Sequence, residues 1–272
     1  MSEEPCCKSA SGIGMRLTLS GQILNYFNSG KLDTDSHDYK SYIATHAKRY
    51  GFLLDMVATI RNELGRYLPT ITILDIGPSF FTELMRVTFT EDTVVTLGFD
   101  SPESRGGHFP QGISFDQHRH LHFNLNDTQY PERWIKIPPA DLVVMAEVLE
   151  HLYTAPTLVL EFVYSLLSPG GFLILQTPNA ASLKKRLRLL IGRHPYEMIR
   201  ENVENPGHFR EYTKSELLAI AHSCGFTVRS CEMSNYFSHD SSKGPIERFL
   251  RRLGPPNLRR YIALVLQKPG RK

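Results

Sequence analysis

The chain has 272 residues, 41% of them hydrophobic and 22% charged, with a formal net charge of +3. This length suits one large α/β domain with appendages and excludes a mini-protein that needs staples. The charge is too small for a protein that coats nucleic acid, and no apolar run is long enough for a membrane-spanning helix.

The first residues, MSEEPCCKSA, lack an apolar targeting segment. Cys6, Cys7, Cys224 and Cys231 show neither a C-x-x-C pair nor zinc spacing. A cytoplasmic protein with reduced thiols is therefore expected. Residues 1–37 are rich in Ser, Gly and Asp, with a short apolar patch at 17–27. Together with a helix predicted over 38–68 they form an N-terminal arm and capping helix, residues 1–68. In that helix Tyr42, Ile43, His46, Tyr50, Leu53, Leu54, Val57 and Ile60 recur at three- and four-residue steps. Pro69 stops it.

The pattern then changes. Apolar strands are predicted at 71–76, 94–99, 120–125, 141–146, 172–176, 226–232 and 261–267. Helices are predicted at 81–87, 148–167, 214–224 and 246–253, and a turn at 168–171. Continuous apolar strands alternating with helices point to a mostly parallel sheet covered on both faces. Residues 180–212, basic and then polar, interrupt the rhythm.

The chemistry gathers at strand ends. The first strand closes on Asp75-Ile76-Gly77-Pro78-Ser79, and open α/β sheets bind ligands at such carboxyl ends. A glycine there lets backbone approach a ligand closely. The second strand ends in Asp100, where a carboxylate can accept both hydroxyls of a ribose. On the helix predicted after the fourth strand, Glu147, Glu150 and His151 would share one face. His208 follows in GHFREYT. These groups could bind a divalent metal, or His151 or His208 could act as a general base without one.

The ordered pieces LDIG, a strand ending in Asp, FNLND, ADLVVMAEVLEHL, LLSPGGFLILQTPN and HFREYTKSEL resemble class I S-adenosylmethionine-dependent methyltransferases over roughly residues 70–235 and 260–268. The resemblance implies a Rossmann-like seven-stranded, mostly parallel sheet in residues 69–272, with helices on both faces, an N-terminal helical arm and a lid insertion at about 180–212. It implies a cofactor site. Asp75, Gly77, Pro78 and Ser79 would lie against the methionine part. Asp100 would hold the ribose, with Ser101 beside it. Asn124 would stand near the adenine amino group, and Leu125 would offer its N–H to the ring. Glu147 would form the floor. Tyr42 and Arg49, on the capping helix, would close over the cofactor, with Arg49 pairing its carboxylate.

Two departures stand out: Ser79 and Phe81 replace the second and third glycines of the family's loop. The arrangement EVLEH…H is also similar to ubiquinone-pathway O-methyltransferases and to small-RNA 2′-O-methyltransferases. The latter use Glu, Glu, His, His around a metal. By that resemblance Glu147, Glu150, His151 and His208 would hold Mg²⁺, Mn²⁺ or Zn²⁺.

Residues 182–193, SLKKRLRLLIGR, form a basic amphipathic helix with Leu183, Leu187, Leu190 and Ile191 on one face. It could meet a membrane, phosphate or nucleic acid; the plainer expectation is a cap helix whose leucines pack on the core. His118, Arg119, His120 and His122 read as a polar loop and strand edge. The expected function is O-methylation of a small molecule or a sugar or glycan hydroxyl. The competing readings are RNA 2′-O-methylation and a non-catalytic cofactor-binding scaffold. Oligomeric state is not legible.

Overall fold

The computed structural model describes residues 37–98, 119–202, 206–235 and 254–270, with side chains from residue 45 onward. Asp100, Ser101, His118, the patch at 17–27 and the helix expected at 246–253 lie outside the described residues, as does the side chain of Tyr42.

Seven strands form one sheet in the order β3-β2-β1-β4-β5-β7-β6. They are β1 (Thr72–Ile76), β2 (Thr93–Gly98), β3 (His120–His122), β4 (Ala140–Ala146), β5 (Leu167–Pro178), β6 (Thr227–Ser234) and β7 (Tyr261–Gln267). β1 to β5 run parallel, and β7 is antiparallel to both of its neighbours. The helices are α1 (His37–Leu64), α2 (Phe80–Thr88), α3 (Pro156–Leu166), α4 (Leu183–Leu190) and α5 (Lys214–Ser223).

Alternation along each strand divides the core between the two sheet faces. Ile73, Val94, Leu142, Val144, Phe172 and Ile174 meet Tyr50, Leu53 and Val57 of α1 and Phe81 and Leu84 of α2. Leu74, Leu97, Val143, Met145, Leu173 and Leu175 meet Val159, Phe162 and Val163 of α3 and Leu217 of α5. Strands buried on both sides need apolar residues at successive positions, which explains LVVM and FLIL.

Two expectations change. The helix predicted over 148–167 is broken: one 3-10 turn spans Leu149–His151, and α3 starts only at Pro156. Pro156 sits at the first helical turn and keeps Ala155 extended, φ −65° and ψ 131°. Residues 168–171 are not a separate turn but the irregular start of β5. There Gly170 N–H donates to Lys268 O, and Lys268 N–H donates to Gly171 O. Phe81, which stands where the family's loop has its third glycine, is buried and stacks on Tyr50, ring centroids 5.9 Å apart, joining α1 to α2.

The segment between β5 and α5 is a closed insertion. Asn179 bridges Tyr212 at its neck, and Ala180 N–H donates to Tyr212 O at 2.9 Å.

Asp92, at the entry to β2, ties α1 to β1. Its Oδ1 accepts from Ile71 N–H at 2.9 Å and its Oδ2 from Arg61 Nε at 2.6 Å. Asp92→Ala strands a buried N–H and a guanidinium and should cost about 2–4 kcal/mol. Thermal unfolding should show a midpoint lower by roughly 5–10 °C; an unchanged midpoint would deny the tie its role.

Candidate active site

Strand order reverses between β1 and β4, so their carboxyl ends open a crevice. The chain leaves β1 through Gly77, φ +76°, where a Cβ would stand 2.5 Å from Val148 Cγ2. Ser79 then caps α2 with φ −152°, well away from the left-handed region, so no glycine is needed there. Its Oγ accepts from Phe81 N–H, and its own N–H donates to Thr82 Oγ1. Thr82 Oγ1 in turn donates to Asp75 Oδ2 at 2.5 Å. Asp75 is buried, and desolvation pushes its carboxyl up to about 7, opposed by that hydrogen bond and by Arg86 and Arg49.

The chain leaves β4 through Glu147, a non-glycine residue with φ +59°. Its N–H donates to Gln176 O at 2.8 Å. Burial raises its carboxyl, with Arg49 the main opposing charge, and its Oε1 has no hydrogen-bond partner among the described residues. Glu150, fully buried, is raised well above the carboxylate range by desolvation and by the charge of Glu147. Its Oε2 accepts from Thr177 Oγ1 at 3.0 Å. Arg49 is only 6% exposed and lies 3.4 Å from His46 Nδ1.

The 3-10 turn takes over the clustering role expected of a helix. Glu150 O accepts from Phe209 N–H at 2.8 Å, which draws the end of the insertion against the turn. His151 and His208 meet edge to face, ring centroids 4.7 Å apart. Ligating atoms of Glu150, His151 and His208 lie within 4.8 Å of one another. Glu147, expected in the same set, stands outside that group of three.

Both imidazoles are tethered through Nδ1: His151 to Gly207 O at 3.0 Å, His208 to Glu211 Oε1 at 3.1 Å. Donation from Nδ1 to an oxygen leaves Nε2 as the lone-pair nitrogen of each ring. Desolvation lowers both imidazoles, that of His208 to about 4, where His151 and Lys185 also oppose its charge. Both are neutral at pH 7.

Asn124 caps the 3-10 turn Leu125–Gln129, its Oδ1 accepting from Asn126 N–H at 3.0 Å. Asn126 Oδ1 accepts from Tyr153 N–H, linking this turn to the Glu150–His151 turn.

Sequence reasoning missed three groups. Gln176 is fully buried at the end of β5, and neither amide atom has a partner among the described residues. Lys185 reaches in from α4, touches Glu211, and is pushed down to about 8 by desolvation. Glu211 joins it to His208. Only the wider spacing of HFREYT, with Glu211 inside it, hinted at this.

The chain matches a family model described as a methyltransferase domain over residues 47–231. It belongs to that family, and with this sheet it is a class I S-adenosylmethionine (SAM)-dependent methyltransferase of Rossmann-like fold. No curated protein matches it in sequence. Among solved structures it is similar to a SAM-dependent methyltransferase from Archaeoglobus fulgidus, 16% identical, covering 78% of this chain and 94% of that one with a TM-score of 0.46. A SAM-dependent methyltransferase from Methanosarcina mazei is 15% identical, with 77% and 98% covered and a TM-score of 0.48. An O-methyltransferase family protein from Burkholderia thailandensis is 15% identical, with 96% and 68% covered and a TM-score of 0.46. Among the described residues no helix is long and apolar enough to cross a membrane.

The Asp75 carboxyl gives a pH signature. Folded, it titrates near 7; its ordinary value is 3.8. Between those values the folded state binds more protons than the unfolded one, so its contribution to stability falls as pH rises from about 4 to about 7. Asp75→Asn should flatten the slope of stability against pH there by up to about 1.4 kcal/mol per pH unit. Urea midpoints across that window measure it, and an unaltered slope would mean that Asp75 is ionised in the folded chain.

Proposed function

We propose that the chain methylates a hydroxyl of a small molecule or sugar, with the His151–His208 pair receiving the hydroxyl proton. The observation behind this reading is the pair itself: two neutral imidazoles, each held through Nδ1, with Nε2 left as the basic atom. Burial lowers the basicity of both rings, so their value lies in being neutral, fixed and ready to take a proton at pH 7; positioned proton transfer of this kind contributes about 10²–10⁴-fold.

The crevice suits the cofactor. SAM carries an ammonium, a sulfonium and a carboxylate. Asp75, Glu147 and Glu150 are buried carboxyls whose ionised forms are short of positive charge, and Glu147 Oε1 has no partner among the described residues. A cationic ligand relieves that imbalance. Asp75, Gly77, Pro78 and Ser79 would hold its methionine part, with Arg49 at the carboxylate and Glu147 on the floor. Asn124 and Leu125 would flank the adenine. By the family resemblance Asp100 and Ser101 would hold the ribose, and Tyr42 would cover it. When bound, SAM supplies an electrophilic methyl group. The chain's own work is to hold the acceptor hydroxyl beside His151 and His208, to receive its proton at Nε2, and to exclude water by closing residues 180–212 as a lid. The buried amide of Gln176 is available to orient the acceptor.

A second reading places a divalent cation on Glu150, His151 and His208. One carboxylate and two imidazoles, each imidazole anchored by a carbonyl or carboxylate, form a chemically suitable donor set. A cation there would lower the pKa of the acceptor hydroxyl.

His151→Ala and His208→Ala should each lower kcat by about a hundredfold or more. SAM affinity by calorimetry should stay within about twofold of wild type, because neither histidine is placed on the cofactor. Full turnover in both variants would discard the base assignment. Dialysis against a chelator separates the two readings. If the cation is real, activity falls and returns with added Mn²⁺ or Zn²⁺, and Glu150→Gln abolishes the bound metal. Unchanged activity removes the cation.

A further inference from the structure

The insertion carries an apolar face that neither the core nor the crevice uses. The leucine stripe of α4, expected to pack inward, points outward beyond half-buried Leu183: Leu187 and Ile191 are exposed, and Leu190 is 81% exposed. The inward position belongs instead to Lys185, which touches Glu211 and donates to Asn179 O. Tyr196 lies against Lys185, its ring 5.5 Å from Nζ, which folds the following loop back beside α4. That loop adds Ile199 and Met198, the latter 89% exposed. With Leu189, six aliphatic side chains stand in water within one short insertion. Single exposed leucines are ordinary; a cluster of this kind marks a contact surface.

The charge around the cluster selects the contact. Residues 182–201 hold six basic side chains against two acidic ones, Glu197 and Glu201; with Lys185 turned inward and Glu197 paired to Arg200, exposed Lys184, Arg186 and Arg193 carry the positive charge of the face. We propose that this face of the insertion docks on an anionic lipid bilayer. Leu190, Ile191 and Met198 enter the boundary between headgroups and acyl chains, and Lys184, Arg186 and Arg193 reach lipid phosphates. Aliphatic burial together with attraction to anionic lipid is the energetic basis of in-plane helix docking, and long cationic side chains reach sideways to the headgroups. Single-stranded nucleic acid is gripped by aromatic platforms beside the cations; the residues exposed on α4 and the loop after it, Leu187, Leu189, Leu190, Ile191, Met198 and Ile199, are aliphatic. At the neck of the insertion, exposed Tyr153 packs on Phe209, ring centroids 5.7 Å apart, and Phe209 directly follows His208. A docked insertion therefore carries the histidine pair at its neck. Resting on the O-methylation reading, the acceptor is an amphiphile whose hydroxyl lies near the headgroups.

Sedimentation of the full chain with vesicles tests this. With about 30% phosphatidylglycerol in phosphatidylcholine, partitioning should exceed that on pure phosphatidylcholine by about tenfold and fall as salt rises. The variant Leu190→Glu/Ile191→Glu/Met198→Glu should lose about tenfold of that partitioning. Its thermal midpoint and SAM calorimetry should match wild type, which separates lost docking from lost folding. The proposal is overturned if wild type stays in the supernatant or the variant sediments equally. It is also overturned if the face instead retains an RNA oligonucleotide, or closes a dimer that the variant breaks, without vesicle binding. Vesicle binding without SAM binding would sink the methyl-transfer reading alone; SAM binding without vesicle binding would sink this proposal alone.

Discussion

Glu147 holds a left-handed backbone at the point where the central strand β4 leaves the sheet, and the rest of the site depends on that turn. Such a conformation costs a non-glycine residue roughly 1–3 kcal/mol and persists only where surroundings impose it. Two contacts impose it here. The Glu147 N–H is committed to Gln176 O on β5, and the next residue, Val148, fills the space that a side chain on Gly77 would need. The exits of β1 and β4 are therefore interlocked. From that corner the chain makes a single 3-10 turn, and this turn brings Glu150 beside Glu147 and His151 beside His208.

The corner concentrates acid in a desolvated place. Asp75, Glu147 and Glu150 are all raised by burial, and Arg49 is the cation common to the three. Structure without a ligand bears this cost, and a ligand with net positive charge removes it. That is why a site of buried carboxyls agrees with a sulfonium cofactor better than with a dinucleotide, whose phosphates would meet the same carboxyls unfavourably.

Much of the fold was readable because its signals are local and repeated. Strands buried on both faces announce themselves as unbroken apolar runs, and YIALVLQ gave its strand, Tyr261–Gln267, to the residue. The ends of β1 and β4 were readable too, since Asp-Ile-Gly and Ala-Glu sit where the apolar runs stop. The Glu150–His151–His208 grouping was readable as a set of residue types, but not as geometry. Periodicity predicts a continuous helix through 148–167, whereas a left-handed Glu147 and Pro156 break it, and neither conformation shows in a hydropathy pattern. Gln176, Lys185 and Glu211 escaped because they work through tertiary contact. Lys185 looked like one basic residue among several until α4 turned it inward. The leucine stripe misled for the same reason: amphipathic spacing gives two faces without saying which one meets the protein.

On this reading a cationic cofactor occupies a crevice of buried carboxyls whose proton affinity desolvation raises. Calorimetric titration of the chain with SAM at pH 6, repeated in buffers of different ionisation enthalpy, tests it most directly. Asp75, with its carboxyl near 7, is mostly protonated at that pH. SAM should bind with release of a substantial fraction of a proton, and Asp75→Asn should reduce that release. Absence of binding, or binding with no proton released, would contradict the account.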